Sequence, residues 1–194
     1  DQQPERLFRN TYDELGQLES KLVGGANIDS NSLQKIDYEY NVRGWLTNIN
    51  KGDSLGGDLF QFGLNYDKTD HGSTPLFNGN ISETEWRTAN IDNSSKWYSY
   101  SYDALNRITA ATDNSNRYSI SGVEYDQNGN ILGLKRMGHV VDNPVPSSNN
   151  HFGTMDDLDY NYYTNSNQLR NVQELDGGNN TQGFNNGSNT DTEY

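Results

Sequence analysis

The segment YSYSYDALNRI, residues 98–108, decides the fold of this chain. Its first five residues alternate tyrosine with serine, the period-2 pattern of a strand that buries one face. Asp103 then follows Tyr102, and its side chain can accept hydrogen bonds from the backbone amides just ahead, while Asn106 tolerates a positive φ. A β-prone run resumes at Ile108. The segment therefore predicts a β-hairpin with a tyrosine on the incoming strand and an aliphatic residue on the outgoing one.

The same pattern recurs along the chain: a tyrosine, a small polar residue, Gly or Asn four positions after the tyrosine, and an aliphatic residue six positions after it. The copies are Tyr12, Asp13, Gly16 and Leu18; Tyr40, Asn41, Gly44 and Leu46; Tyr102, Asp103, Asn106 and Ile108; Tyr125, Asp126, Gly129 and Ile131; and Tyr163, Asn167 and Leu169. A further, degenerate copy keeps Gly79 and Ile81 and is interpreted as having lost its tyrosine. A fixed turn at irregular spacing predicts stacked hairpins that share one antiparallel sheet.

Composition agrees with a repeat array more than with a two-layer domain. Only 31% of the residues are hydrophobic, yet 13 are tyrosines, so the chain is poor in core-forming residues without lacking the aromatics of an ordered protein. The net charge of −13 predicts that nucleic acid is not a partner, because phosphate contacts need clustered Lys and Arg. There is no cysteine, no apolar run long enough to span a membrane and no signal peptide, and we expect an internal piece of a longer protein.

The array is expected to cover residues 1–176, interrupted by a loop at about 138–153 that contains Pro144 and Pro146. Residues 177–194 are rich in Asn and Gly and predict a loop leading into the next repeat, which Tyr194 would open.

Neither catalytic nor metal-binding nor cofactor-binding residues are predicted. His71, His139 and His151 are far apart in sequence, and no Gly-x-Ser-x-Gly motif occurs. The segments 126–130 and 156–159 offer oxygen ligands for calcium but lack the twelve-residue loop pattern, so turn chemistry and a solvated strand are preferred there, with weak calcium binding left open. Trp45, Trp86 and Trp97 could form a sugar-binding platform, although packing between hairpins is favoured for Trp45 and Trp97.

The segments DYEYNVRGWLT, residues 37–47, and YSYDALNR, residues 100–107, closely resemble bacterial RHS or YD-repeat proteins, and the resemblance extends over residues 9–194. It implies a long antiparallel sheet coiled into a spiral that closes into a hollow shell around a variable C-terminal polypeptide, often a toxin. The chain has too few repeats to close a shell by itself. No segment matches the conserved region after the repeats, so no aspartate is assigned the family's self-cleavage role.

The expected function is therefore structural: a non-enzymatic, all-β segment of a secreted shell, located outside the cell or on the bacterial surface. Its expected partners are the rest of the same shell and the enclosed cargo, with a secretion translocon or a carbohydrate as further candidates. A cell-surface adhesion or carbohydrate-binding module is the alternative, and a hydrolase has no support in the sequence.

Overall fold

A computed structural model describes residues 6–175 and 181–185. These residues form twelve antiparallel strands that neighbour each other in chain order. The strands are β1 Phe8–Tyr12, β2 Leu18–Val23, β3 Gln34–Tyr40, β4 Leu46–Ile49, β5 Phe60–Asn65, β6 Glu83–Thr88, β7 Lys96–Tyr102, β8 Ile108–Asp113, β9 Ile120–Tyr125, β10 Ile131–His139, β11 Phe152–Tyr162 and β12 Leu169–Glu174, with one short 3-10 helix at Asn149–His151. The prediction of an all-β chain of antiparallel hairpins is confirmed.

The chain divides into two compact units, Asp1–Trp97 and Tyr98–Tyr194. In the first unit, side chains of similar polarity lie opposite each other on successive strands. Residues directly opposite each other share a face of the sheet, so each face has its own polarity. One face carries an apolar row and the other a polar row: Tyr38, Ile49, Phe62 and Trp86 pair in turn on the first, and Glu39, Asn48, Gly63 and Glu85 on the second. The alternation along each strand thus produces two faces of different polarity.

The second unit has a small apolar core. Val123, Met155, Leu158 and Val172 are buried, and Leu158 pairs directly with Leu134. On the other face, Gly133 pairs with Glu124 and Asp159, so carboxylates flank a position without a side chain. Few fully buried apolar residues are needed to build this sheet, which agrees with the low hydrophobic content of the sequence.

The interruption predicted at 138–153 is shorter in the structure. β10 continues to His139 and β11 begins at Phe152, and Gly138 pairs with Gly153 inside the sheet. A Cβ on Gly138 would lie 2.3 Å from Cε of Met155, so this glycine packs closely against the methionine and a side chain there would displace it. The loop itself occupies 140–151.

Two predictions lie wholly or partly outside the described residues. Tyr194, predicted to open a further repeat, is one, and the Asn- and Gly-rich segment 177–194 is described only at 181–185. Among the described residues, no helix is long and apolar enough to cross a membrane.

Candidate functional site

The predicted repeat turns are the candidate functional feature, and four copies share one geometry. The tyrosine is the last residue of its strand and pairs with the aliphatic residue that opens the next strand. The pairs are Tyr12 with Leu18, Tyr40 with Leu46, Tyr102 with Ile108, and Tyr125 with Ile131. Each strand pairing shifts register just beside the tyrosine, so the bend is localised at the motif.

The residue after the tyrosine closes the turn through its side chain. In the copy at Tyr102, Oδ1 of Asp103 accepts hydrogen bonds from the amides of Leu105 at 2.8 Å and Arg107 at 2.9 Å. The amide of Asn106 donates to the Asp103 carbonyl at 3.0 Å, and Asn106 has a φ of 63°. Asp13, Asn41 and Asp126 accept the equivalent two amide bonds, and Gly16, Gly44 and Gly129 take the positive φ. Asp and Asn side chains can thus both close the turn, because it requires only an oxygen that accepts the two amide hydrogen bonds.

In the copies at Asp103 and Asp126, these hydrogen bonds stabilise the ionised carboxylate and lower its pKa. The bond from the Arg107 amide is the main cause that lowers the pKa of Asp103 below its ordinary value. For Asp126, the side-chain amide of Asn130 is the main cause of the lowered pKa. In these two copies the turn therefore contains an anion held by local donors.

Four hairpins are each joined to the preceding one by a tyrosine hydroxyl. Tyr40 donates to the carbonyl of Leu18 at 3.1 Å, Tyr66 to Leu46 at 3.0 Å, Tyr125 to Ile108 at 2.7 Å and Tyr162 to Ile131 at 2.9 Å. The acceptor is each time the main chain of the residue that opens the outgoing strand of the previous copy. We call this bond the repeat joint. The sequence predicted the tyrosine on the incoming strand but not the joint, because its acceptor is a main-chain group that no side-chain pattern reports.

The third copy along the chain has kept its tyrosine, contrary to the sequence interpretation. Tyr66 directly follows β5 and makes the repeat joint, and its carbonyl accepts a bond from the amide of Leu76 at 2.8 Å. Gly79 takes a φ of 98° at the far end of the same turn. An insertion, residues 67–78, separates the tyrosine from Gly79 and Ile81. The Tyr66–Asp67 pair was the sequence signal for this arrangement.

The last copy is displaced by one residue from its prediction. Tyr162, not Tyr163, closes β11, pairs with Leu169 and makes the repeat joint. The amide of Tyr163 donates to the carbonyl of Gln168, so Tyr163 stands where other copies have Asp or Asn. Positive φ falls on Asn165, at 57°, and not on Asn167. Because Tyr162 and Tyr163 are adjacent, the motif fits two registers. The chain takes the register in which the Tyr162 hydroxyl bonds to the carbonyl of Ile131.

The insertion is anchored by a buried carboxylate. Glu83 is fully buried and accepts bonds from the amides of Asp70, His71 and Ser73, from the Ser73 hydroxyl and from the Asn65 side chain. Burial alone would raise the pKa of Glu83, but these hydrogen bonds outweigh it and lower the pKa to about 2. Glu83 is therefore an anion that orders the insertion.

A histidine, a glutamate and a serine meet beside this anchor in an order that differs from a serine–histidine–acid triad. His71 Nε2 lies 3.2 Å from Glu85 Oε2, and Ser95 donates its hydroxyl to the other oxygen of Glu85. The glutamate thus stands between the serine and the histidine, whereas a general base must contact the hydroxyl that it activates. His71 also stacks on Trp97 with ring centroids 4.5 Å apart, so its ring is held in a structural contact.

The oxygen-rich segments do not converge on a common point. Arg136 Nε donates to Asp156 Oδ2 at 2.6 Å, and Lys135 pairs with Asp157 at 2.8 Å. Adjacent residues of a strand point to opposite faces, so these two carboxylates are directed away from each other. Among residues 6–175 and 181–185, no group of three or more His, Cys, Asp or Glu side chains could hold a metal ion.

The tryptophans lie in packing contacts. Trp45 lies 5.1 Å from the ring of Tyr66, has Arg43 over its ring and approaches within 3.3 Å of the Cβ position at Gly79. Trp97 stacks on His71, and Trp86 pairs across the sheet with Phe62. All three are half-buried. Trp45 therefore packs against the turn of the following copy, in agreement with the packing between hairpins that the sequence predicted for it.

Comparison with known proteins relates this arrangement to toxin complexes. The fold resembles part of the Tc holotoxin pore of Photorhabdus luminescens, with a TM-score of 0.56 and 14% identity over 89% of this chain and 8% of that chain. It also resembles part of the TcdB2–TccC3–Cdc42 complex, with a TM-score of 0.55 and 15% identity over 87% of this chain and 8% of that chain. No protein-family profile matches the chain, and no curated protein matches it.

The chain thus has an RHS-like repeat fold. At this level of identity the likeness establishes the fold alone, and the chain spans about 8% of the length of these structural neighbours.

Proposed function

We propose that this chain is a segment of the wall of an exported RHS-type shell that encloses a C-terminal, toxin-like cargo of the same polypeptide. The repeat joint is the observation that carries the proposal. Within each unit, hairpins are bonded to the one before through a tyrosine hydroxyl and a main-chain carbonyl, which is the linkage that a wall of repeated units requires. The shared fold with chains of Tc toxin complexes supports the same assignment.

The proposed mechanism is containment without catalysis. A wall that keeps a cargo from folding or acting must contact it weakly enough to release it. The polar face of the first unit suits this task, since Glu39, Asn48 and Glu85 line it and an apolar surface would hold any unfolded chain tightly. The partners in this proposal are the remaining shell repeats and the cargo, outside the cell or on the bacterial surface.

The test is cryo-electron microscopy of the full-length parent, combined with limited proteolysis. We expect a hollow particle in which residues 8–174 resist protease while the cargo is released intact only after the wall is opened. A compact particle without a lumen, in which this segment is cut out as a separate unit that binds glycans, would overturn the shell in favour of an adhesion module.

A further inference from the structure

The tetrapeptide Asn-Gly-Asn-Ile occurs twice in the chain, at 78–81 and at 128–131. The first asparagine of each copy is exposed, and both glycines take a positive φ, 98° at Gly79 and 90° at Gly129. An asparagine that precedes glycine can lose its amide group when the glycine nitrogen attacks the carboxamide, because no Cβ hinders the approach. The two copies share this covalent chemistry, and their folded environments differ.

In the copy at 128–131, the hydrogen bonds of the turn oppose the reaction. The amide of Gly129 donates to the carbonyl of Asp126 at 3.2 Å, and Nδ2 of Asn128 donates to Oδ1 of Asn167 at 3.0 Å. The glycine nitrogen must give up its hydrogen bond before it can attack, and the carboxamide nitrogen must give up its own before it leaves. Both bonds therefore add to the barrier of the reaction.

In the copy at 78–81, the turn supplies a hydrogen bond that favours the reaction. Oδ1 of Asn78 accepts from the amide of Asn80 at 3.0 Å. Attack at Cγ places negative charge on this oxygen, so the bond is retained and strengthens in the transition state, as a donor to an oxyanion does. Within the described part of the chain, the amide of Gly79 has no acceptor that it must leave first.

We propose that Asn78 is a self-modification site, at which the folded chain converts its own asparagine into aspartate and isoaspartate. The nitrogen of Gly79 forms a bond to Cγ of Asn78, its proton passes through water to the carboxamide nitrogen, and ammonia leaves as a succinimide ring closes. Water then opens the ring. Cleavage of the new bond to Cγ gives aspartate, and cleavage of the original bond to the main-chain carbon gives isoaspartate.

Isoaspartate at this position would change a contact between two turns. Atoms of the Trp45 ring lie 3.3 Å from the Cβ position of Gly79. Just before the asparagine, the carbonyl of Phe77 accepts a hydrogen bond from Arg43 at 3.0 Å. Isoaspartate adds a methylene group to the main chain between these two contacts, so both cannot keep their places. The modification should therefore loosen the turn at Gly79 from the preceding turn.

The test is peptide mass spectrometry of the unmodified 194-residue chain, sampled over time at mildly alkaline pH, both folded and in concentrated urea. In the folded chain we expect Asn78 to deamidate at least about fivefold faster than Asn128, the ratio that corresponds to one hydrogen bond that need not break. In urea the turns are lost while the two tetrapeptides stay identical, so the two rates should approach each other.

Two variants provide controls. Asn128→Gln should leave the rate at Asn78 unaltered. Asn78→Gln should abolish the mass change of its peptide, because glutamine would have to close a larger ring. Tryptophan fluorescence of the folded chain should change along with the modification and stay constant in Asn78→Gln, since the loosened turn packs on Trp45.

Three results would overturn the proposal. The first is an equal or faster reaction at Asn128 in the folded chain. The second is the absence of reaction at Asn78 in the folded chain under conditions in which the unfolded chain reacts. The third is a rate difference that persists unchanged in urea, since the fold would then not be its cause.

Discussion

Among single residues, Glu83 combines full burial with a strongly lowered pKa. Its carboxylate is fully buried yet held as an anion by amides of the insertion, with a pKa of about 2 against an ordinary value of 4.5. A carboxyl group whose pKa is lower in the folded state binds protons preferentially in the unfolded state. Its contribution to stability is thus present above about pH 4.5 and is lost as the pH falls through 2.

We expect the Glu83→Gln variant to be less stable at pH 7 by about 2–4 kcal/mol, because an amide nitrogen would face backbone donors in a buried site. The same variant should lose part of the fall in unfolding free energy between pH 4.5 and 2. Urea unfolding monitored by tyrosine and tryptophan fluorescence at several pH values measures both effects. Glu39→Gln is the control, since Glu39 is exposed and its carboxylate contacts the side chains of Lys51 and Asn48, and it should change stability by less than about 1 kcal/mol. If the free energy of unfolding of Glu83→Gln and of the unmodified chain fell equally with pH, Glu83 would not be the anion that anchors the insertion.

At the level of the element, the turn depends on an oxygen acceptor and not on a charge. Asp103→Ala removes the acceptor of two amide bonds and should lower the free energy of unfolding by about 1–2 kcal/mol. Asp103→Asn keeps an acceptor and loses only the ion pair with Arg107, so its cost should stay below about 1 kcal/mol. Thermal and urea denaturation of the two variants measures both losses of stability. Equal losses for Asn and Ala would show that the charge, not the acceptor, closes the turn.

The same element shows how far sequence reasoning reaches. Turns at Asp103 and Asp126 were predictable because their hydrogen bonds run to amides two and four residues ahead, within the motif itself. The tyrosine of the third copy was missed because an insertion interrupts the fixed spacing after Tyr66. The register of the last copy was missed because Tyr162 and Tyr163 both fit the pattern, and a contact with Ile131, 31 residues earlier, decides between them.

For the whole molecule, the repeat joints connect the hairpins of each unit and should make its stability sensitive to base. Burial raises the pKa of Tyr66, and burial together with the nearby Asp126 raises that of Tyr162. A group with a raised folded pKa stabilises the fold fully below its unfolded pKa of 10, and this stability is lost as the pH rises through the folded pKa.

Tyr66→Phe and Tyr162→Phe should each lower the free energy of unfolding by about 1 kcal/mol at pH 7 and flatten its decline above pH 10. Urea unfolding between pH 7 and 11.5 measures the effect. Tyr12→Phe, which breaks no joint among the described residues, should follow the unmodified chain within about 0.5 kcal/mol. A decline above pH 10 that is as steep in the Tyr66 and Tyr162 variants would mean that other groups cause it.

The use of a main-chain acceptor in the repeat joint has an evolutionary consequence. A carbonyl is present whatever side chain stands beside it, so Leu18, Leu46, Ile108 and Ile131 can each be exchanged without removing the bond that the next tyrosine makes. Neighbouring copies can therefore diverge independently, with little need for compensating changes between them. Independent exchange of this kind allows one fold to be shared at 14% identity, and it predicts that the tyrosine and its following Asp or Asn vary less between copies than the aliphatic positions do.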